Sequence, residues 1–182
     1  HCGIYTMMGY MMLFEHIGLD YTLSTYASEG GNFGYFTSNQ TTKKLNAKMY
    51  HEAERLGVKW ILGGECGHMW RVVHQYMDTM NGPADFMEEP VSPITGTKFR
   101  NATSTKMVHI AEFTADLIHQ NKLKLDPRRN DHLKTTFHDS CNIARECLRN
   151  RVLSYGMSAI VLTKCQNIRF GKKHFVVDLE AV

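Results

Sequence analysis

Two cysteines of this chain stand at the same kind of junction. Cys66 and Cys141 each follow a short apolar run and a glycine-rich or polar turn, and each opens a stretch with helical spacing. At Cys141 the thiol lies against the first backbone amides of a helix, which favour the thiolate, the form that binds metal. Around Cys141 the order is His138-Asp139-Ser140-Cys141-Asn142-Ile143-Ala144-Arg145, entered from the apolar run Leu133 to Phe137. His138 is suited to donate to a cluster sulfur or to orient a thiol; Asp139 and Ser140 serve equally well as plain helix caps. Around Cys66 the order is Gly63-Gly64-Glu65-Cys66-Gly67-His68. Gly63 and Gly64 permit close backbone approach of a cluster, an anion or a substrate. Turns of this composition also join strands to helices where nothing binds, and this one lacks the spaced glycines of a phosphate loop or a dinucleotide fingerprint.

Other metal-binding residue types are present but scattered. His68, His74, His109, His119, His132 and His138 form no pair on one helix with an intervening Glu, so a histidine zinc site is not indicated. The remaining cysteines are Cys2, Cys147 and Cys165; Cys147 and Cys165 sit in no recognisable site. Five cysteines at wide spacing suit no small disulfide framework. With no export signal in view, a reducing cytoplasm is the expected setting.

The elements that must position these residues follow from the apolar pattern. Met7 to Ile17 has helical spacing and ends at Gly18; Asp20 to Leu23 reads as a short strand; Ser24 to Asn32 is a Ser/Gly-rich loop. Thr37 to Leu56 is the clearest helix, with Asn39 as its candidate cap, Leu45, Met49, Ala53 and Leu56 as its apolar stripe, and Gly57 as its stop. Val58 to Leu62 is a strand closed by Gly63 and Gly64, and Cys66 opens a helix carrying Met69, Val72, Val73, Tyr76 and Met77. Asn81 to Thr105, with Pro83, Pro90 and Pro93, is irregular. Thr105 to Gln120 is read as helix, Asn121 to Asn130 as a charged connector, and Leu133 to Phe137 as a third strand. Strands alternating with helices predict an α/β protein, a parallel sheet with helices on both faces. Ligands of such sheets sit beyond the carboxyl ends of the strands. The turns at Ser24–Asn32, Gly63–His68 and His138–Cys141 all fall on that edge.

Bulk properties narrow the classes further. The 182 residues make one domain or at most two. A net charge of +3, with no basic run interleaved by aromatics, gives no case for nucleic acid. Met7 to Leu13 is too short to span a bilayer. The chain begins with His1, so an internal fragment is expected.

Four stretches, taken together, resemble one family. They are Met7-Met8-Gly9-Tyr10; Ala27-Ser28-Glu29-Gly30-Gly31-Asn32-Phe33-Gly34; Gly63 to His68 with Trp70 and Arg71; and His138 to Asn142, with Asn130-Asp131-His132 adding to the match. The likeness is to the DsrK family, heterodisulfide-reductase-like iron–sulfur subunits of the membrane complex of dissimilatory sulfite and sulfur metabolism, and it runs from about Thr6 to Arg145. It implies CCG-domain, Rossmann-like halves: residues 1–130 a degenerate first half, 131–145 the start of a second. It also implies a non-cubane [4Fe–4S] cluster, Cys141 as the first cysteine of the cluster module, and Cys66 as the residual cysteine of the degenerate one, with Cys66 and His68 as the candidate catalytic residues. Gly30 and Gly31 lie where a complete first module has Cys-Cys-Gly. The implied activity is cleavage or formation of a di- or trisulfide on a small sulfur-carrier protein. Membrane-anchored subunits would supply the electrons at the cytoplasmic face of the membrane. Other CCG-domain subunits, of heterodisulfide reductase or of glycolate or lactate oxidase, are the alternative within redox enzymes. A cluster-free protein-docking module is the alternative outside them.

After Arg145 the likeness stops. The Cys-Cys-Gly that should follow Cys141 by thirty-odd residues is absent from 146–182. Read one base back, codons permitted by Lys173 to Val182 spell Thr-Phe-Cys-Cys-Gly-Ser-Gly-Ser-Gly, at the expected distance. The tail 146–182 is therefore expected to be out of frame. In the chain as it stands the cysteine pair is replaced by Phe175, Val176, Val177 and Asp178, and the cluster is not expected to assemble.

Overall fold

The computed structural model describes residues 2–24, 37–63, 66–100, 102, 104–126 and 128. The predicted third strand at 133–137, the loop turns carrying Gly30, Gly31 and Gly64, and the whole region of His138, Cys141 and the tail lie outside the described residues.

Helix α1 spans Cys2–Ile17 and α2 spans Asn39–Leu56. Both end on glycine in the left-handed conformation, Gly18 at φ 66° and Gly57 at φ 63°. At each end the next residue's amide reaches back to satisfy a last-turn carbonyl: Leu19 donates to Phe14 at 2.9 Å and Val58 to Ala53 at 3.2 Å. The start of α2 is set by Ser38, not by the predicted Asn39. Ser38 is extended, and its hydroxyl accepts the Thr41 amide at 3.1 Å. Ser and Asn are comparable caps, so two in a row leave the position open from sequence. The buried face of α2 is also rotated from the predicted stripe. Thr42, Asn46, Met49, Tyr50 and Ala53 are buried, whereas Leu45 and Leu56 are half-buried. The Tyr50 hydroxyl donates to the Gly82 carbonyl at 3.2 Å and the Asn81 side-chain Nδ2 to the Lys43 carbonyl at 3.0 Å, which turns this side of α2 toward residues 81–82.

Strand β1 is Ile61–Gly63 and β2 is Met107–His109. They pair in parallel, with Ile61 opposite Met107, Leu62 opposite Val108 and Gly63 opposite His109. Between them run α3 (Gly67–Val72), a π-helical turn (Val73–Met77), α4 (Asp78–Asn81) and the irregular segment to residue 106. Parallel pairing through a helical crossover is what the strand–helix alternation predicts. Three boundaries differ from expectation. Residues 58–60 are not strand, because the Val58 amide closes the α2 cap and the Lys59 carbonyl accepts from Glu88. Residues 20–23 are not strand either; Tyr21 instead lays its ring against Phe14, centroids 4.9 Å apart. The helix predicted from Thr105 starts only at Ile110, as α5 (Ile110–His119), and its first residues form β2.

Alternation across the two strands separates two apolar clusters. Ile61 and Met107 join Met49, Tyr50, Ala53, Trp70, Val73 and Met77 on the face covered by α2 and α3. Leu62 and Val108 join Phe14, Phe99, Phe113 and Leu117 on the face covered by α1 and α5. The sheet thus has helices on both faces. Fully buried Phe113 is a centre of the second cluster; truncating a side chain of that kind costs about 3–5 kcal/mol. Glu52, buried on α2, accepts from the Ser24 hydroxyl at 3.2 Å and pairs with Arg55, which ties the segment after α1 to α2. The other side of α1 carries Ile4, Tyr5, Met8 and Met12 exposed to solvent.

Candidate functional site

Both strands end on the same rim and each runs straight toward a helix. Gly63 closes β1 and His109 closes β2, directly opposite in the ladder. An added Cβ on Gly63 would stand 3.0 Å from the Met69 methyl and 3.3 Å from the Met107 sulfur. The backbone passes close over these two side chains, and only glycine does so without displacing them.

Cys66 is the residue before α3. Its backbone is extended, its side chain makes no capping hydrogen bond, and it is a free, exposed thiol. Its carbonyl accepts the Trp70 amide at 3.0 Å, closing the first turn. His68 is exposed in that turn, Trp70 is buried, and Arg71 lies along its own helix, its guanidinium donating to the Tyr76 hydroxyl at 3.3 Å. Helical backbone continues without a break from Gly67 through the π turn to Asn81. A π turn inserts a residue into the α ladder and is frequent near functional sites.

His109 plays the corresponding part for α5. Its Nδ1 accepts the Ala111 amide at 3.0 Å, capping the helix. An accepting Nδ1 carries no proton, so the neutral ring holds its proton on Nε2. The ring stands edge-on to Trp70, centroids 4.6 Å apart and planes at 88°. One floor therefore links the two strand ends: Gly63, Met69, Trp70, Met107 and His109.

Of the residues singled out from sequence, Gly63, Cys66 and His68 are placed together on this rim. Gly64, Gly30, Gly31, His138 and Cys141 lie outside the described residues. His109 was counted only among scattered histidines. Its place at a strand end was hidden by the helical spacing of 105–120, and His is not among the residue types that signal a helix start, so the sequence offered no cue to it. Among the described residues, no three His, Cys, Asp or Glu side chains gather closely enough to hold a metal ion. A [4Fe–4S] cluster is held by several thiolates, and Cys66 is the one cysteine whose side chain is described. The described residues alone do not complete a cluster site. No helix among them is long and apolar enough to cross a membrane.

Comparison with known proteins shows a likeness over most of the chain. Over an alignment of 158 positions that covers 78% of this chain, the sequence is 47% identical to an Hdr-like menaquinol oxidoreductase iron–sulfur subunit of Archaeoglobus profundus. Over that stretch the chain is similar to an Hdr-like iron–sulfur subunit. A second such protein, subunit 2 of Archaeoglobus fulgidus, is 48% identical over the same length. The chain spans 28% of the length of each of these curated relatives. The match is to Hdr-like iron–sulfur proteins and does not single out the DsrK family. No protein-family model and no solved structure matches the chain.

Proposed function

We propose that this chain is part of the iron–sulfur subunit of a quinol-linked oxidoreductase complex that reduces or forms a di- or trisulfide on a small sulfur-carrier protein. The identity of nearly half over most of the chain with two subunits named as menaquinol oxidoreductase components carries the reading. The chemistry is consistent with that partner. Reductive cleavage of a disulfide takes up two electrons and two protons and yields two thiols, and oxidation of one quinol releases the same two electrons and two protons. The electrons reach the subunit through membrane-anchored partners at the cytoplasmic face. Within the subunit, Cys66 and Cys141 are assigned as thiolate donors to a non-cubane [4Fe–4S] cluster, His138 and the glycine turns at Gly30, Gly31, Gly63 and Gly64 as its surroundings, and His68 as the polar group next to the Cys66 thiol. The DsrK family is the branch the motif set favours.

The chain as it stands lacks the Cys-Cys pair of the second module, so it is assigned no activity of its own. The test is iron content and electron paramagnetic resonance of two proteins prepared identically without oxygen. One is the 182-residue chain; the other has the frame restored from codon 146 and is extended through the last Cys-x-x-Cys. The second should bind about four irons and the first should not bind them stoichiometrically. Cys141→Ala in the second should abolish or strongly distort the signal. A full cluster in the 182-residue chain would overturn both the ligand assignment and the out-of-frame tail. Clean codons around Arg145, with no Cys-Cys-Gly in the neighbouring frame, would remove the tail argument by itself.

A further inference from the structure

We infer that His109 is a positioning residue for the Cys66 turn, acting through Trp70. The inference rests on the reading that Cys66 is a working thiol of the rim. Three contacts make the path. The strand register sets His109 opposite Gly63, the last described residue before the Cys66 turn. The His109 ring meets the Trp70 ring edge-on at 4.6 Å. The Trp70 amide donates to the Cys66 carbonyl at 3.0 Å, so the residue that carries the indole is hydrogen-bonded to the residue that carries the thiol. On its other side His109 holds α5 by accepting the Ala111 amide on Nδ1. One imidazole therefore touches both strand–helix junctions of the rim, with its ring toward one and its lone pair toward the other.

The two roles use different parts of the side chain and can be removed one at a time. His109→Asn keeps a polar acceptor suited to a helix cap and removes the aromatic ring. His109→Phe keeps a ring for Trp70 and removes the acceptor. Site-resolved amide hydrogen exchange on the full 182-residue chain reads each junction by its own amide. In His109→Asn the Trp70 amide should exchange about twofold to tenfold faster, the factor an aromatic pair of this kind is worth, while the Ala111 amide stays protected. In His109→Phe the pattern should cross over, with Ala111 exposed and Trp70 protected.

The functional readout is alkylation of Cys66 by a small thiol reagent. Cleavage after Lys59 and Arg71 gives a peptide of residues 60–71 that carries Cys66 alone among the cysteines. The Cys66 alkylation rate should shift with Trp70 exchange in His109→Asn and return to the parent value in His109→Phe. Uniform acceleration of exchange in both variants would mean a merely structural role and would overturn the inference. So would an unchanged Cys66 rate in His109→Asn. Should His109→Phe fail to fold, Trp70→Phe, which keeps a smaller ring against His109, replaces it, and the Cys66 rate must then move by less than in His109→Asn; should His109→Asn fail to fold, His109→Gln, which also keeps an acceptor and removes the ring, takes its place with the same expected outcomes. None of these measurements requires iron, so a failed cluster reconstitution and a failed coupling remain separate results.

Discussion

Tyr50 offers a test in which a single oxygen decides the sign of a stability difference. Its hydroxyl is buried beside α4, donates to the Gly82 carbonyl at 3.2 Å, and has its pKa pushed up from 10.0 to about 12, first by burial and then by the carboxylates of Asp78 and Asp85. A raised folded-state value means the folded protein holds the phenol proton more tightly than the unfolded chain does. The stabilisation it brings is complete below pH 10 and is lost as the pH rises from about 10 to about 12. Tyr50→Phe keeps the ring and its edge-on contact with Phe86, centroids 5.4 Å apart, and removes only the hydroxyl. At neutral pH the variant should be less stable by about 1 kcal/mol, the net worth of one hydrogen bond. By about pH 11 the parent should have lost about 1 kcal/mol through this group, allowing for partial solvent screening of the oxygen. The two proteins should then be about equal. Urea unfolding followed by the fluorescence of Trp60 and Trp70, run at pH 7 and at pH 11, measures the difference. Titration of every other group is common to both proteins and cancels. A constant offset between Tyr50→Phe and the parent across that range would refute the assignment of alkaline instability to Tyr50.

Three further outcomes are expected. Ser38→Ala should cost about 1 kcal/mol and Asn39→Ala much less, since the Ser38 hydroxyl holds the Thr41 amide; equal losses in chemical denaturation would restore Asn39 as the cap. Asn46→Leu should be neutral or stabilising by roughly 1 kcal/mol, because neither atom of the buried Asn46 amide has a hydrogen-bond partner among the described residues; a loss above that size would show a partner. Gly63→Ala should cost about 1–2 kcal/mol by crowding the Met69 methyl and the Met107 sulfur, and adding Met69→Ala should cost less than the two single losses combined; strict additivity in thermal unfolding would contradict the close approach.

What the sequence disclosed depended on how local the cause was. Gly57 and Gly18 were legible as helix stops because the left-handed cap is a property of one residue and its neighbours. The parallel α/β layering, with helices on both faces, came from alternating strand and helix patterns. β2 did not, because Met107-Val108-His109 is strand only by pairing with Ile61-Leu62-Gly63, more than forty residues earlier in the chain, and the helical spacing of α5 directly after it masked the boundary. The rotation of the buried α2 face toward Asn46 and Tyr50 likewise involves the distant carbonyl of Gly82, which Tyr50 reaches across the fold. In the site, Gly63, Cys66 and His68 were found by residue type at a strand–helix junction. His109 was not, since its role arises from a ladder partner and from the Trp70 ring, neither of which is near it in sequence.

The methionines of α1 differ in kind from those of the interior. Met7, Met8, Met11 and Met12 present their thioethers to solvent, whereas Met49, Met77, Met87 and Met107 are enclosed. An oxidant reaching this chain will therefore convert the α1 sulfurs to sulfoxides first, and each conversion makes an apolar surface polar without disturbing the core. Helix α1 thus keeps a chemical record of exposure: sulfoxide at Met8 and Met12 with intact Met77 and Met107 marks a sample that met an oxidant while still folded, and oxidation of all eight marks one that had already come apart.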